Sequence, residues 1–450
     1  MVKRKRAAAG KASSKRRATK KTTKKAKVAE ATVQTAEDVP SQDEESITEK
    51  EDEDGTVVKE NGGDDDFFET PDEKRVRLVK EYLGQLGEAK APEEVKEQLE
   101  RDVEDQQKRT RLHIEDLSLG TPRFLRGHKQ APTCLSLSAD QRTLYSGGKD
   151  CALLRWDVET GKKDVVHPGG RNRFQCGGHF SFVLSVCLVE QRSLLVSTGH
   201  DRLVRFWDLR AAPKSACVEK LQGHMACTTA VGADPDGAQV YSSSLDKSLR
   251  IWDLTARKLR DTLFGHVSGV TNLDLYHTGR LVTGGVDKSV RFWKIDKDTH
   301  LIFNKHTYPV DAVSILDQGS FASGSQDGTI HLWSPTSKKP IASTSLGSKR
   351  WITALGAIRR GNVFFSGSAD GNLGVWRVQQ ANKEAKQGIK LVEAAPAVQA
   401  PGCINDVAVG RNVLVCAVAK EHKLGRWFCD NKQRDGVMFV PLSYSEGQGQ

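Results

Sequence analysis

The stretch Ser242-Ser243-Ser244-Leu245-Asp246-Lys247-Ser248-Leu249-Arg250-Ile251-Trp252-Asp253 decides the fold. Within it Asp246 stands six residues before Trp252, Ser242 stands four before that Asp, and apolar side chains alternate between them. The same unit recurs at Asp150/Trp156, Asp201/Trp207, Asp287/Trp293, Asp327/Trp333 and Asp370/Trp376, with Ser146, Ser197, Thr283, Ser323 and Ser366 in the place of Ser242. A seventh, degenerate copy sets Glu421 six residues before Trp427. Five copies also carry a histidine 21 or 22 residues before the Asp: His128, His179, His224, His266 and His306, the first four preceded by Gly.

The Trp-to-Trp steps are 51, 45, 41, 40, 43 and 51 residues. A single Gly-His or Trp-Asp carries little weight, but six units in one register resemble the WD-repeat family, whose repeats run to about 40–45 residues. A four-stranded repeat cannot bury both its faces alone, so such units stack around an axis. In that family the His, Ser/Thr, Asp and Trp of one blade form a hydrogen-bonded chain, and a buried carboxylate needs such donors. The repeated His and Asp residues, with Trp427 counted among the repeat tryptophans, therefore read as structural. The expected fold is all-β, a seven-bladed WD-repeat β-propeller with a helical N-terminal extension and a disordered charged tail.

The chain of 450 residues has room for one propeller of about 300 residues and a sizeable extra region. No apolar run reaches the length of a membrane span, and the basic N-terminus has no apolar core behind it, so it does not read as a secretory signal. The nine cysteines include no C-x-x-C pair and read as buried thiols of a reducing compartment. The net charge of +10 conceals segregation: residues 1–30 hold 13 Lys/Arg and one acid, whereas residues 37–73 hold 17 acids and two Lys. Residues 119–450 hold 43 basic and 29 acidic side chains, so the folded part is itself basic and suits a polyanionic partner.

Residues 1–66 are expected to be a disordered tail, basic and then acidic. Its clusters Lys3, Arg4, Lys5, Arg6 and Lys15, Arg16, Arg17 read as nuclear or nucleolar targeting. Residues 67–118 are expected to form a helical extension. Thr70, Pro71 and Glu73 make a helix start, followed by the stripe Val76, Val79, Leu83 and Leu86; a second helix starts near Pro92 with Val95, Leu99 and Val103. These stripes dock either on the propeller or on a partner. Residues 119–444 are expected to be the propeller. Its first strand, Thr121 to Arg126, and the C-terminal run Val437 to Leu442 compete for the outer place in the last blade.

Function is sought where the repeat is broken. His167 to Phe174 places Arg171 and Arg173 beside an aromatic in a long loop. The sixth unit has Ser348-Lys349-Arg350-Trp351 in place of Gly-His, with Trp351 at the start of a strand beside the central opening. Lys149 and His200 precede their turn Asp on the same rim. Basic groups near an exposed aromatic suit nucleic-acid backbones and unstacked bases. Lys149, Arg171, Arg173, His200, Lys349, Arg350 and Trp351 are thus the candidate RNA contacts; the bland reading of Trp351 is packing beneath a neighbouring loop. Phosphate loops, zinc-ligand spacing and nucleophile elbows are not found, so neither catalysis, cofactor nor metal is expected.

Several stretches resemble one WD-repeat family, the subunit specific to the U3 small nucleolar ribonucleoprotein (the Rrp9 family). They are Glu69 to Leu83, Lys149 to Cys151, Thr262 to His266, Asp287 to Ile295, Trp351 to Leu355, Glu421 to Trp427 and Val437 to Leu442. The resemblance implies a nucleolar protein that binds the box B/C region of U3 small nucleolar RNA beside a kink-turn-binding protein. It further implies box C/D core and small-subunit processome partners, a monomer within a larger ribonucleoprotein, and early pre-ribosomal RNA processing. The Arg171 to Phe174 loop departs from the family pattern. Two other readings stand beside it. Trp207-Asp208-Leu209-Arg210 resembles the adaptor-docking motif of cullin-ligase substrate receptors, and a chromatin propeller would bind peptides through its central opening.

Overall fold

A computed structural model describes residues 112–170, 177–211, 217–277, 279–317, 319–346, 351–379, 389–425 and 433–446. The expected tail with its targeting clusters, the helices of 71–109, Arg171, Arg173, Lys349, Arg350 and Trp427 lie outside these residues. Seven antiparallel sheets are present, six of them built from four consecutive strands. Blade one, for example, runs Pro132–Leu137, Thr143–Gly148, Leu153–Asp157 and Lys163–His167. The inner strands of successive blades touch in cyclic order, the seventh returning to the first, which closes a β-propeller.

The alternating pattern places apolar side chains on both faces of each blade, so the core lies between blades. One cluster joins Cys134, Tyr145 and Leu153 of blade one to Val183, Leu195 and Trp207 of blade two. The repeat tryptophans Trp156, Trp207, Trp252, Trp293, Trp333 and Trp376 are all buried. Each indole also has a fixed partner. In blade three the Trp252 Nε1–H donates to Ser242 Oγ (2.8 Å), which pairs with His224 Nε2 (2.7 Å), while His224 Nδ1 meets Asp246 at 2.9 Å. Blades one, two and four repeat this chain through Asp150, Asp201 and Asp287. Burial alone would raise the Asp246 and Asp287 carboxyls, but hydrogen bonds from His224 and Ser248, and from His266 and Ser289, hold both well below the usual range. In blade five Asp327 turns instead to Thr307 and Thr329. His306 keeps its bond to Ser323 and packs its ring against His331 at 4.5 Å.

The seventh blade corrects the sequence reading in three ways. Its strands are Cys403–Val409, Val413–Ala419 and Gly436–Glu446, so Val437 to Leu442 occupies the third place rather than the outer one. Both Ile114–Leu119 and Arg123–Leu125 pair with that third strand, and the two expected rivals are partners in one closure. Pro441 and Pro122 cannot donate to a ladder, which accounts for the break between the two outer segments. The sheet also reaches back to Ile114, upstream of the boundary expected at residue 119, because Ile114 and Leu117 are buried. Finally, register places Val415 opposite Phe439, as Leu144 stands opposite Trp156 and Val240 opposite Trp252. Phe439 therefore takes the repeat-tryptophan place of the seventh blade.

Candidate nucleic-acid interface

The His–Asp hydrogen bonds join the Gly-His loops to the Asp turns, so both lie on one face, here the upper face. The inner strand of every blade begins with a bulge, at Thr133, Leu184, Thr229, Thr271, Asp311, Thr353 and Asn405. The threonines turn this irregularity into a weld between blades. Thr133 Oγ1–H donates to the Val183 carbonyl at 2.6 Å and Thr229 to Val270 at 2.8 Å, while Thr271 and Thr353 reach Val310 and Ile404. Asn405 closes the circle, its Nδ2 donating to the Pro132 carbonyl at 2.9 Å.

The segment Lys420–Gly425 lies over this ring. Asn405 holds it through the Glu421 carbonyl (3.1 Å) and the Lys423 N–H (3.0 Å). Lys149, only 4 % exposed, sets its Nζ 3.2 Å from Glu421 Oε1 and donates to the His422 carbonyl at 2.7 Å. The His422 ring stacks on Trp351 with centroids 4.4 Å apart, and the Trp351 Nε1–H donates to Asp311 at 2.6 Å. Burial raises the Asp311 carboxyl, against the pull of Gln326, Lys423 and Trp351. Burial pushes His422 down to about 3, helped by Lys423 and Lys149. Lys149 and Trp351 are therefore parts of a clamp that ties blade seven to blades one, five and six, with Trp351 half-buried in it.

Among the sequence candidates His200 remains exposed, edge-on to the half-exposed Phe182 ring at 6.2 Å. Lys149 Nζ lies 5.7 Å from the centre of the same ring. Sequence reasoning missed the cations beside them. The residue after each turn Asp adopts a left-handed backbone: Arg202 at φ 65°, Lys247 at 72° and Lys288 at 65°, where blades five and six use Gly328 and Gly371. A side chain there costs about 1 kcal/mol over glycine, and all three cations are exposed. The repeat register was the signal that could have found them. Lys129 and Arg202 are exposed on the same face, while Asp150 is held by His128 and Asp201 by His179, with Arg205 3.8 Å away. Nearby carboxylates are thus engaged inside the blades, and the outward charge is positive.

The described residues contain no cluster of three or more His, Cys, Asp or Glu able to hold a metal ion. Burial pushes the thiols of Cys134, Cys227 and Cys403 up to about 12, which suits packing and not nucleophilic chemistry. The Trp207 to Arg210 motif lies on the opposite face, its Arg210 guanidinium donating to Ser193 Oγ at 3.0 Å.

The model of the WD domain, G-beta repeat, matches residues 120–157, 170–208, 215–253, 257–294 and 298–334. The fold is a seven-bladed WD-repeat β-propeller. Among WD-repeat proteins the chain is 28 % identical over 402 residues to the U3 small nucleolar RNA-interacting protein 2 of Homo sapiens, covering 83 % of this chain and 82 % of that one. It is 24 % identical over 378 residues to the Ribosomal RNA-processing protein 9 of Saccharomyces cerevisiae, covering 65 % and 66 %. The crystal structure of the RRP9 WD40 repeats superposes with a TM-score of 0.66 at 27 % identity, over 73 % of this chain and all of that one.

Proposed function

We propose that this WD-repeat protein is the RNA-binding scaffold specific to the U3 small nucleolar ribonucleoprotein, recognising the box B/C region of U3 RNA in the nucleolus. In this reading it works beside box C/D core and kink-turn-binding proteins, and with processome proteins, in early pre-ribosomal RNA processing for the small subunit. One observation supports the RNA contact: Lys129, Phe182, His200 and Arg202 are all exposed on the upper face of blades one and two, where Asp150 and Asp201 are bound to histidines inside the blades. The names of the relatives supply the RNA. In sequence, Arg171 and Arg173 fall between Lys163–His167 of blade one and Val183–Val189 of blade two.

Crosslinking followed by sequencing tests this directly; recovery of ribosomal or messenger RNA without U3 refutes it. In binding assays with box B/C RNA, the double variant K129A/R202A reduces the salt slope by about two, as two lost phosphate contacts require.

A further inference from the structure

The same upper-face positions carry different chemistry from blade to blade. After the repeat histidine stand Lys129 in blade one, Met225 in blade three and Val267 in blade four; before the turn Asp stand Lys149, Leu245 and Val286. Blade five has Thr307 and Gln326 there, so the repeat does not demand apolar side chains. Yet Met225 is 77 % exposed, Val267 73 %, Val286 40 % and Leu245 37 %, with Tyr308 of the next loop at 56 %. The strip is continuous across the blade seam, since Leu245 packs against Gly269, whose carbonyl accepts the Val286 N–H at 2.9 Å. It is also held rigid. Asp246 accepts the Met225 N–H at 2.9 Å and Asp287 accepts the Val267 N–H at 3.0 Å. Lys247 and Lys288 stand on its margin, and the only carboxylates of these two turns, Asp246 and Asp287, are bound to His224 and His266.

We propose that this strip on blades three and four docks an acidic protein segment bearing bulky apolar side chains. The aliphatic anchors favour a protein over RNA, which would want aromatic platforms and a denser line of cations. Lys247 and Lys288 select carboxylates on the incoming segment by charge complementarity. The site is separate from the RNA patch on blades one and two and does not rest on it.

The test uses the full chain and a fluorescent peptide, Glu-Asp-Phe-Leu-Glu-Asp flanked by glycines. Wild type is expected to bind it below about 100 µM. M225E and V267E each weaken binding by about tenfold or more, as does replacing the peptide's Phe and Leu by Ser, and K247Q/K288Q weakens it with a shallower salt dependence. Affinity for box B/C RNA stays within about twofold in M225E. Melting curves report folding, and M225S replaces M225E should the latter melt early. Four results overturn the proposal: no binding by wild type, equal binding of the Ser peptide, a larger loss for RNA than for peptide in M225E, or a wild-type dimer that M225E dissociates.

Discussion

Lys149 separates the two roles that a cation on a propeller rim can have. Its ammonium is buried, 3.2 Å from Glu421 and 2.7 Å from the His422 carbonyl. Lys149→Met keeps the aliphatic stem but strands the Glu421 carboxylate beneath its own loop, and breaking a buried pair in this way costs about 3–5 kcal/mol. Glu421→Gln leaves an amide that still accepts from Lys149, so the loss is smaller, about 1–3 kcal/mol. The double variant K149M/E421Q removes both charges and recovers part of the larger loss, a coupling of about 1–3 kcal/mol. Urea unfolding of the full chain reads these differences. The companion measurement is the salt dependence of box B/C RNA binding, where Lys149→Met leaves the slope unchanged because its Nζ is engaged inside the fold. The reasoning is refuted if Lys149→Met stays within about 0.5 kcal/mol of wild type and lowers that slope by about one. Lys149 would then face the RNA and the clamp would not exist.

Acidification should destabilise the fold through its buried neutral histidines. Burial, first of all, holds His306 and His422 at about 3, against an ordinary 6.5. The unfolded chain takes up protons that the folded one refuses, so stability falls from pH 6.5 toward 3, by about 2 kcal/mol for each histidine at pH 5; urea midpoints at pH 7 and 5 check this. Phe439→Ala empties the tryptophan place of the seventh blade and costs about 3–5 kcal/mol, measured by thermal melting. Asn405→Ala leaves the Pro132 and Glu421 carbonyls without their donor and costs about 1–3 kcal/mol for each buried group left unsatisfied. Arg202→Gly relieves the left-handed backbone and stays within about 1 kcal/mol of wild-type stability, while its RNA salt slope falls by about one.

The blade chemistry was legible in the sequence because each chain of His, Ser, Asp and Trp is local, spanning one repeat with fixed spacings. His224, Ser242, Asp246 and Trp252 meet within hydrogen-bonding distance as that spacing implies. The seventh blade was harder to read because its partners are distant in sequence. Nothing local to Glu421 or Trp427 reports that Lys149 will arrive from blade one, or that Ile114–Leu119 will pair with Gly436–Glu446 from the far end of the chain. For the same reason Lys149 and Trp351 read as rim residues: their partners Glu421 and His422 come from another blade. The welds at Thr133, Thr229, Thr271 and Thr353 were missed because a threonine at the start of a strand looks like ordinary strand composition.

The loss of the repeat chain in blade seven also has a physical counterpart in the clamp above it. In that blade 16 residues separate Ala419 from Gly436, where only four separate Gly148 from Leu153 in blade one. Ala417 stands where the other blades place Ser or Thr, so no hydroxyl awaits an indole, and Phe439 fills the space with a ring that needs no donor partner. The polar work moves inward to Asn405 and outward to Glu421 and His422, which reach the neighbouring blades as well as one another's segment. Closure thus depends on two devices with separate failure modes: the shared strand at the rim and the clamp at the axis. Variants that cripple one should leave the other measurable, so Phe439→Ala and Asn405→Ala are expected to combine additively within about 0.5 kcal/mol if the two devices are independent. A larger coupling would mean that the clamp seats only once the rim has closed.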